Sequence, residues 1–251
     1  MDGSTIDGGT GAPRLHYEDD VLRVVLKPAG QPVLGPSGEA SAGTLAAAVL
    51  AAWPALEAEP FPLGFAAGAL HRLDTSTSGM VLFARSAASL GPLRALFAEH
   101  KLRKRYLLIA RRDPGWPSHR IGLALAHHPQ KRDRMVVQRG ESTPHRGRWL
   151  PAETLFRRIG PAALPAEDGQ PTLFSAEIRT GVMHQIRAHA AFLGMPLVGD
   201  RRYGGGPAPS GATAGVEFFL HHTAVIGGGL QIPAAPVPQG WPVAAQGSET
   251  A

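Results

Sequence analysis

His71-Arg72-Leu73-Asp74-Thr75-Ser76-Thr77-Ser78-Gly79, followed by Met80-Val81-Leu82-Phe83-Ala84, constrains this chain more than any other stretch. A cluster of turn-forming Thr, Ser and Gly passes directly into an apolar run, which reads as a buried strand entered through a tight turn. One carboxylate, Asp74, stands at the mouth of that strand, with Arg72 two residues before it. An acid held there by backbone suits a positioned nucleophile. It suits equally well an Asp that only shapes the turn, as Asp beside Ser, Thr and Gly commonly does. On these residues alone both readings stay open.

The pattern on either side decides the fold class. Residues 21–26 are β-branched and apolar and are stopped by Pro28-Ala29-Gly30, which predicts a strand. Thr44 can cap a helix over 46–52. Ser86 can cap a second over 87–100, with Leu90, Leu93, Leu96 and Phe97 on one face. Further strands are predicted at 106–110, 121–126, 135–138, 153–159, 172–178 and 218–226, and 204–209 reads as a flexible loop. Ile186, Ala190 and Leu193 recur at helical spacing, so 184–193 is a helix that Gly194 closes and Pro196 cannot extend. Strands outnumber helices, do not alternate with them regularly, and show no repeat. The expected fold is α+β, with a mixed, mainly antiparallel sheet flanked by helices.

A chain of 251 residues that is 43% hydrophobic can fill a core of that kind. Residues 1–14 and 244–251 offer little to bury and are expected to be disordered tails around one domain over 15–243. Cysteine is absent, which removes disulfides, thiolate catalysis and Cys-type metal sites. The longest apolar stretch, 44–53, ends at Pro54 and is too short to span a bilayer. The first residues lack the charged and apolar regions of a signal peptide. The chain is therefore expected to be cytoplasmic, with no membrane role.

The formal net charge is +5, carried mainly by arginine, which suits planar recognition of phosphate. Lys101-Leu102-Arg103-Lys104-Arg105-Tyr106 links a helix end to a strand start. It reads either as a solvated face that complements the helix dipole or as phosphate contacts with Tyr106 as an aromatic platform for a base. A second basic stretch runs from Lys131 to Arg148, and together the two point to nucleic acid. Gly181–His189 sets His184, Gln185, Arg187 and His189 at a helix opening, where anions are favoured. The histidines invite a metal reading, but His184 and His189 are five apart, and His127-His128 and His221-His222 are neighbours that point to opposite sides of a strand. No metal is expected.

At this point the residues resemble a known family, the RluA-type pseudouridine synthases. His71–Arg85 resembles its H-R-L-D-x-x-T-S-G signature and the strand after it. Tyr17-Glu18-Asp19-Asp20 leading into Lys27-Pro28-Ala29-Gly30 resembles its opening, and Lys104-Arg105-Tyr106-Leu107 its K-x-Y-L motif. Thr180-Gly181 with His184-Gln185-Ile186-Arg187-Ala188-His189 resembles T-G-R-x-H-Q-I-R-x-H. Pro196–Asp200 with Tyr203-Gly204, and then Leu220-His221, resemble later blocks. The matches keep the family's order over roughly 15–225. The resemblance implies the pseudouridine synthase core with a cleft across its sheet, and isomerisation of uridine in ribosomal or transfer RNA by a monomer without a cofactor. It implies Asp74 as nucleophile, Tyr106 as active-site tyrosine and Arg187 as the partner of the aspartate. His71, Arg72, Arg103, Lys104, Arg105, His184 and Gln185 would contact structured RNA. With fourteen residues ahead of the core, no S4 RNA-binding module is expected in this sequence.

Three positions depart from the pattern: Val182-Met183 replaces Arg-Thr, Leu26 replaces the Asn or Asp before Lys-Pro, and Glu141–Leu150 is an unusual basic segment containing Trp149. The aligned chemistry is untouched by all three. Two other classes remain as alternatives, a catalytically inactive RNA-binding protein of the same fold and a His-based metallohydrolase that the histidine spacing disfavours.

Overall fold

The structure, a computed structural model, describes residues 14–165, 169–207 and 216–242. The tails expected at 1–14 and 244–251 lie outside these residues except for Arg14, as do residues 208 and 209 of the expected loop. In chain order the elements are β1 (Arg14–Glu18), β2 (Leu22–Lys27), α1 (Leu45–Ala52), β3 (Ser78–Ala84), α2 (Ala87–Ala98), β4 (Leu102–Ala110), β5 (Ser118–Ile121), β6 (Leu125–His127), β7 (Met135–Val137), β8 (Arg146–Leu150), β9 (Thr154–Pro161), β10 (Thr172–Ile178), α3 (Gln185–Phe192) and β11 (Leu220–Gly227). The fold is α+β. The contacts divide the described chain into two compact units, 14–103 with 216 and 222–236, and 104–165 with 169–207, 217–221 and 237–242.

In the first unit the strand order is β1-β2-β3 followed by residues 222–227 of β11. β1·β2 and β2·β3 are antiparallel. The period of two sorts β2 and β3 onto two cores. Leu22, Val24, Met80 and Leu82 pack with Leu90 and Leu93 of α2, while Val25, Val81 and Phe83 pack with Leu45 and Val49 of α1. A strand covered by a helix on each face must be apolar throughout, and every residue of β3 is buried. Both helices start where a side chain accepts an otherwise orphaned N–H: Thr44 Oγ1 from Ala47 at 3.2 Å, and Ser86 within a capping box with Ser89. Gly79, at φ 114°, is required at the head of β3, because a Cβ there would run into the backbone of His222.

In the second unit, residues 104–110 of β4 lead an order β4-β10-β9-β5, and a separate three-stranded sheet runs β7-β6-β8. The pairings β10·β4, β10·β9, β5·β9, β6·β7 and β6·β8 are antiparallel. Four differences from the sequence reading concern strands, two of them the unexpected strands β1 and β8. The expected strand 121–126 is split into β5 and β6 around Gly122. The basic run 102–105, expected to join helix to strand, already belongs to β4. The alternation of β4 then divides that run: Leu102, Lys104 and Tyr106 are buried, while Arg103 is half-buried and Arg105 exposed.

Candidate active site

Asp74 opens the turn that delivers the chain into β3, and Thr77 N–H donates to the Asp74 carbonyl at 3.0 Å. The next carbonyl, Thr75 O, is gripped twice: by Gly30 N–H at 2.9 Å and by Lys27 Nζ at 2.9 Å. Lys27 ends β2 opposite Gly79, and it is 2% exposed. Its ammonium also donates to Pro28 O at 2.8 Å and Gln31 O at 2.7 Å. Three carbonyls take all three N–H groups of a charged lysine, so the cage is built for the cation. Burial pulls the Lys27 pKa down to about 7, with the charge of Asp74 acting in the opposite direction. The half-buried Asp74 carboxylate thus stands on a loop pinned by a buried cation. Sequence reasoning quoted Lys27 within a motif and gave it no role. A lysine that closes an apolar strand was the available signal.

The sign of the Lys27 effect on stability is testable. A pKa lowered in the folded state means that the unfolded chain holds more protons between about pH 7 and 10.5. Stability from this group therefore increases as pH rises through that window and is least below about 7. Urea midpoints of wild type and Lys27→Met, measured from pH 7 to 9.5, should show the difference moving in favour of wild type as pH rises. A difference independent of pH would mean that Lys27 carries no burial cost.

Arg72 is exposed beside this turn. His71, expected at RNA, is directed into the unit: Leu82 N–H donates to its Nε2 at 3.3 Å, and its ring lies 5.4 Å from Phe97 and 5.5 Å from His222.

Tyr106 and Arg187 belong to the second unit. Tyr106 is buried in β4 opposite Ala176. Lys104, on the same face, is buried with its pKa lowered to about 8 by desolvation. Its Nζ lies against Gly181, where an added Cβ would come within 3.0 Å. The face that carries Tyr106 thereby lies close to the turn entering α3. Arg105 is exposed, with Glu177 at 3.7 Å.

α3 is eight residues long and buried from Gln185 to Ala190. Its three long polar side chains are each held within the protein. The Gln185 carbonyl accepts from Thr180 Oγ1 at 2.8 Å and Val182 N–H at 3.3 Å, and its amide donates to Glu153 O and Thr154 Oγ1. This side chain, expected at RNA, is turned inward and fastens the 180–185 turn to β9. His184, in a left-handed conformation at φ 53°, meets the Tyr203 hydroxyl at 3.1 Å. His189 donates from Nε2 to Leu123 O at 2.9 Å, so Nδ1 accepts from Thr154 at 2.8 Å. Burial lowers its pKa.

Arg187 is 2% exposed, and its guanidinium forms a two-pronged pair with Asp200, Nε to Oδ2 at 2.7 Å and Nη2 to Oδ1 at 2.9 Å. The ring of Phe218 lies 4.3 Å from its central carbon and that of Tyr203 5.2 Å. A fork-to-fork pair between aromatic faces fixes the plane of the cation. Asp200, 1% exposed, stands within the Pro196–Asp200 block of the sequence, to which no role is assigned there. The reading assigned the guanidinium to Asp74 alone, whereas the second unit by itself supplies a carboxylate to hold it. Among the described residues no three His, Cys, Asp or Glu side chains form a group that could hold a metal ion. No helix among them is long and apolar enough to cross a membrane.

The fold is the α+β fold of the pseudouridine synthase class. Residues 21–192 match the family of RNA pseudouridylate synthases, and the chain belongs to that family. It is 33% identical over 209 residues to the ribosomal large subunit pseudouridine synthase D of Xylella fastidiosa, covering 82% of this chain and 56% of the relative. It is 35% identical over 139 residues to RNA pseudouridine synthase 2, chloroplastic, of Oryza sativa, covering 55% of this chain and 29% of the relative. The chain thus spans about half, or less, of the length of these curated relatives. The solved structure of human RNA pseudouridylate synthase domain containing 1 shares the fold, with a TM-score of 0.68 at 22% identity over 92% of this chain and 85% of that one.

Proposed function

We propose that this chain isomerises uridine to pseudouridine in RNA, with Asp74 as the nucleophile. The observation that carries the reading is the Asp74 turn, a carboxylate left partly open to solvent while the loop beneath it is locked by the buried Lys27 cage. The isomerisation needs no net oxidant or reductant. The bond from N1 to ribose C1′ breaks, a bond from C5 to C1′ forms, C5 loses a proton and N1 gains one. Asp74 adds to the nucleotide or assists the cleavage, the freed uracil turns, and Tyr106 or a water beside it takes or relays the C5 proton. Arg187, held by Asp200, steers the aspartate.

A uridine inside folded RNA hides its glycosidic bond, so the nucleotide must be swung out at a cost of a few kcal/mol. Stacking on an aromatic ring returns about 1–3 kcal/mol per base, and phosphate contacts from Arg72, Arg103 and Arg105 add to it. The name of the Xylella relative favours large-subunit ribosomal RNA as the substrate, with transfer RNA second. The same reading has the protein act as a monomer, in the cytoplasm and without a cofactor.

The test is to incubate the purified protein with ribosomal and transfer RNA from cells lacking it and to map pseudouridine chemically. New pseudouridines that persist in the presence of a chelator are expected. Their absence from every RNA offered would overturn the proposal.

A further inference from the structure

Six of the chain's Lys and Arg residues lie between 131 and 150 (Lys131, Arg132, Arg134, Arg139, Arg146 and Arg148), against two acids, Asp133 and Glu141. The surplus of four supplies most of the whole chain's +5. Asp133 is engaged by Arg202 at 3.0 Å, and none of the six basic side chains forms an ion pair among the described residues. A patch that repels itself and lacks internal neutralisation has to be offset by something outside the protein.

The patch is built on the small sheet, where β8 is an edge strand with Arg146 and Arg148 exposed. At the end of the preceding turn, the His145 ring stacks on Trp149 at 4.2 Å between centroids and 32° between planes. The turn is pre-set. Thr143 Oγ1 accepts from Arg139 N–H at 3.0 Å and Gly140 N–H at 3.1 Å, and His145 Nδ1 donates to Thr143 O at 3.0 Å. Its counterpart between β6 and β7 is likewise fixed by His128 Nδ1, which accepts from Gln130 and Lys131 N–H, both at 3.1 Å. Little ordering entropy remains to be lost when a ligand arrives.

The sheet is also anchored to the helix that carries Arg187. Leu125, Met135 and Val137 share a core with Ala188, and Met135 N–H donates to Tyr203 Oη at 2.8 Å. Arg139 lies 5.7 Å over Phe192 at the end of α3.

We propose that this three-stranded sheet is a second RNA-docking surface, in which the His145–Trp149 pair stacks on an unpaired base and Arg146 and Arg148 hold the phosphates on either side. An aromatic pair on a strand that also carries exposed guanidinium groups selects an unpaired nucleotide, because a base inside a duplex has no face to offer. Seated on α3, the surface fixes where the rest of the RNA lies while another uridine reacts. This inference rests on the RNA reading above and names the part of the substrate that is held without being modified.

The probes are a fluorescein-labelled RNA stem-loop with an unpaired loop and a fully paired duplex of equal length, each bound to the full-length protein over a salt series. Arg146→Ala with Arg148→Ala should weaken binding of both at least tenfold and reduce the salt slope by about 1.4–1.8, the range for two phosphate contacts on single and double strands. Trp149→Ala should weaken the stem-loop about tenfold to a hundredfold and leave the duplex within twofold, with Trp149→Phe in between. Arg94→Gln with Arg120→Gln removes two exposed charges elsewhere and should change neither. Unchanged affinity and slope in the double alanine variant, or equal losses on both RNAs for Trp149→Ala, would overturn the proposal. Binding is read without turnover, so the two readings fail separately. Pseudouridine formation with unaltered binding in these variants removes the docking surface, and variant-sensitive binding without any pseudouridine removes the enzymatic reading.

Discussion

Asp74→Asn should yield no detectable pseudouridine, a loss of about 10⁴-fold or more, while melting temperature and RNA affinity stay at wild-type values. The substitution is nearly isosteric, and it leaves the backbone bonds of the turn in place. Thr77 bonds to the Asp74 backbone, and the Lys27 cage closes on the carbonyl of Thr75. The amide therefore keeps the place of the acid without its charge or its nucleophilic oxygen. Mapping pseudouridine after a long incubation, beside a melting curve and a binding isotherm, checks all three parts. Turnover within tenfold of wild type would take the chemistry away from Asp74.

Asp200→Ala should cost about 3–5 kcal/mol of stability, because it strands a guanidinium in a site where both partners are almost fully buried. For a chain of this size each kcal/mol corresponds to about 2–4 °C, so the melting temperature should fall by about 6–20 °C. Asp200 is a positioning residue, and activity should fall with stability, since Nε and Nη2 of Arg187 lose the acceptors that set the plane of its fork. A second variant separates the two effects. Arg187→Met with Asp200→Ala replaces the pair with an apolar filling between Phe218 and Tyr203, so most of the lost stability should return. Activity should not return, because the cation is gone. Arg187→Lys, which keeps the charge and discards the fork, should be slow with a near-normal KM. A double variant as active as wild type would show that the pair is only structural.

The legible and illegible parts of this protein differ in physical kind. β3, α1 and α2 could be read directly, because a strand buried on two faces has to be apolar and because Thr44 and Ser86 announce their helices. β1 and β8 were not predicted as strands. Arg146-Gly147-Arg148-Trp149-Leu150 is an edge strand, so its side chains answer to solvent and its alternation is erased. The basic run at 102–105 looked uniform, yet the pleat of β4 buries Lys104 and leaves Arg105 exposed. Gln185 read as an open polar group at a helix start, but the carbonyl of Glu153, 32 residues earlier, claims its amide.

By itself the sequence determined the class, through an ordered set of short motifs that place Asp74 on a turn, Tyr106 on a strand and Arg187 on a helix. Local chemistry suffices there, since turns, caps and two-residue alternation are set by near neighbours. Only the tertiary structure decided what holds those groups: Lys27 beneath Thr75, across 48 residues, and Asp200 against Arg187, across 13. A charge becomes a structural clamp when burial strips its water and distant chain supplies the missing partners, and that pairing is a property of the folded interior.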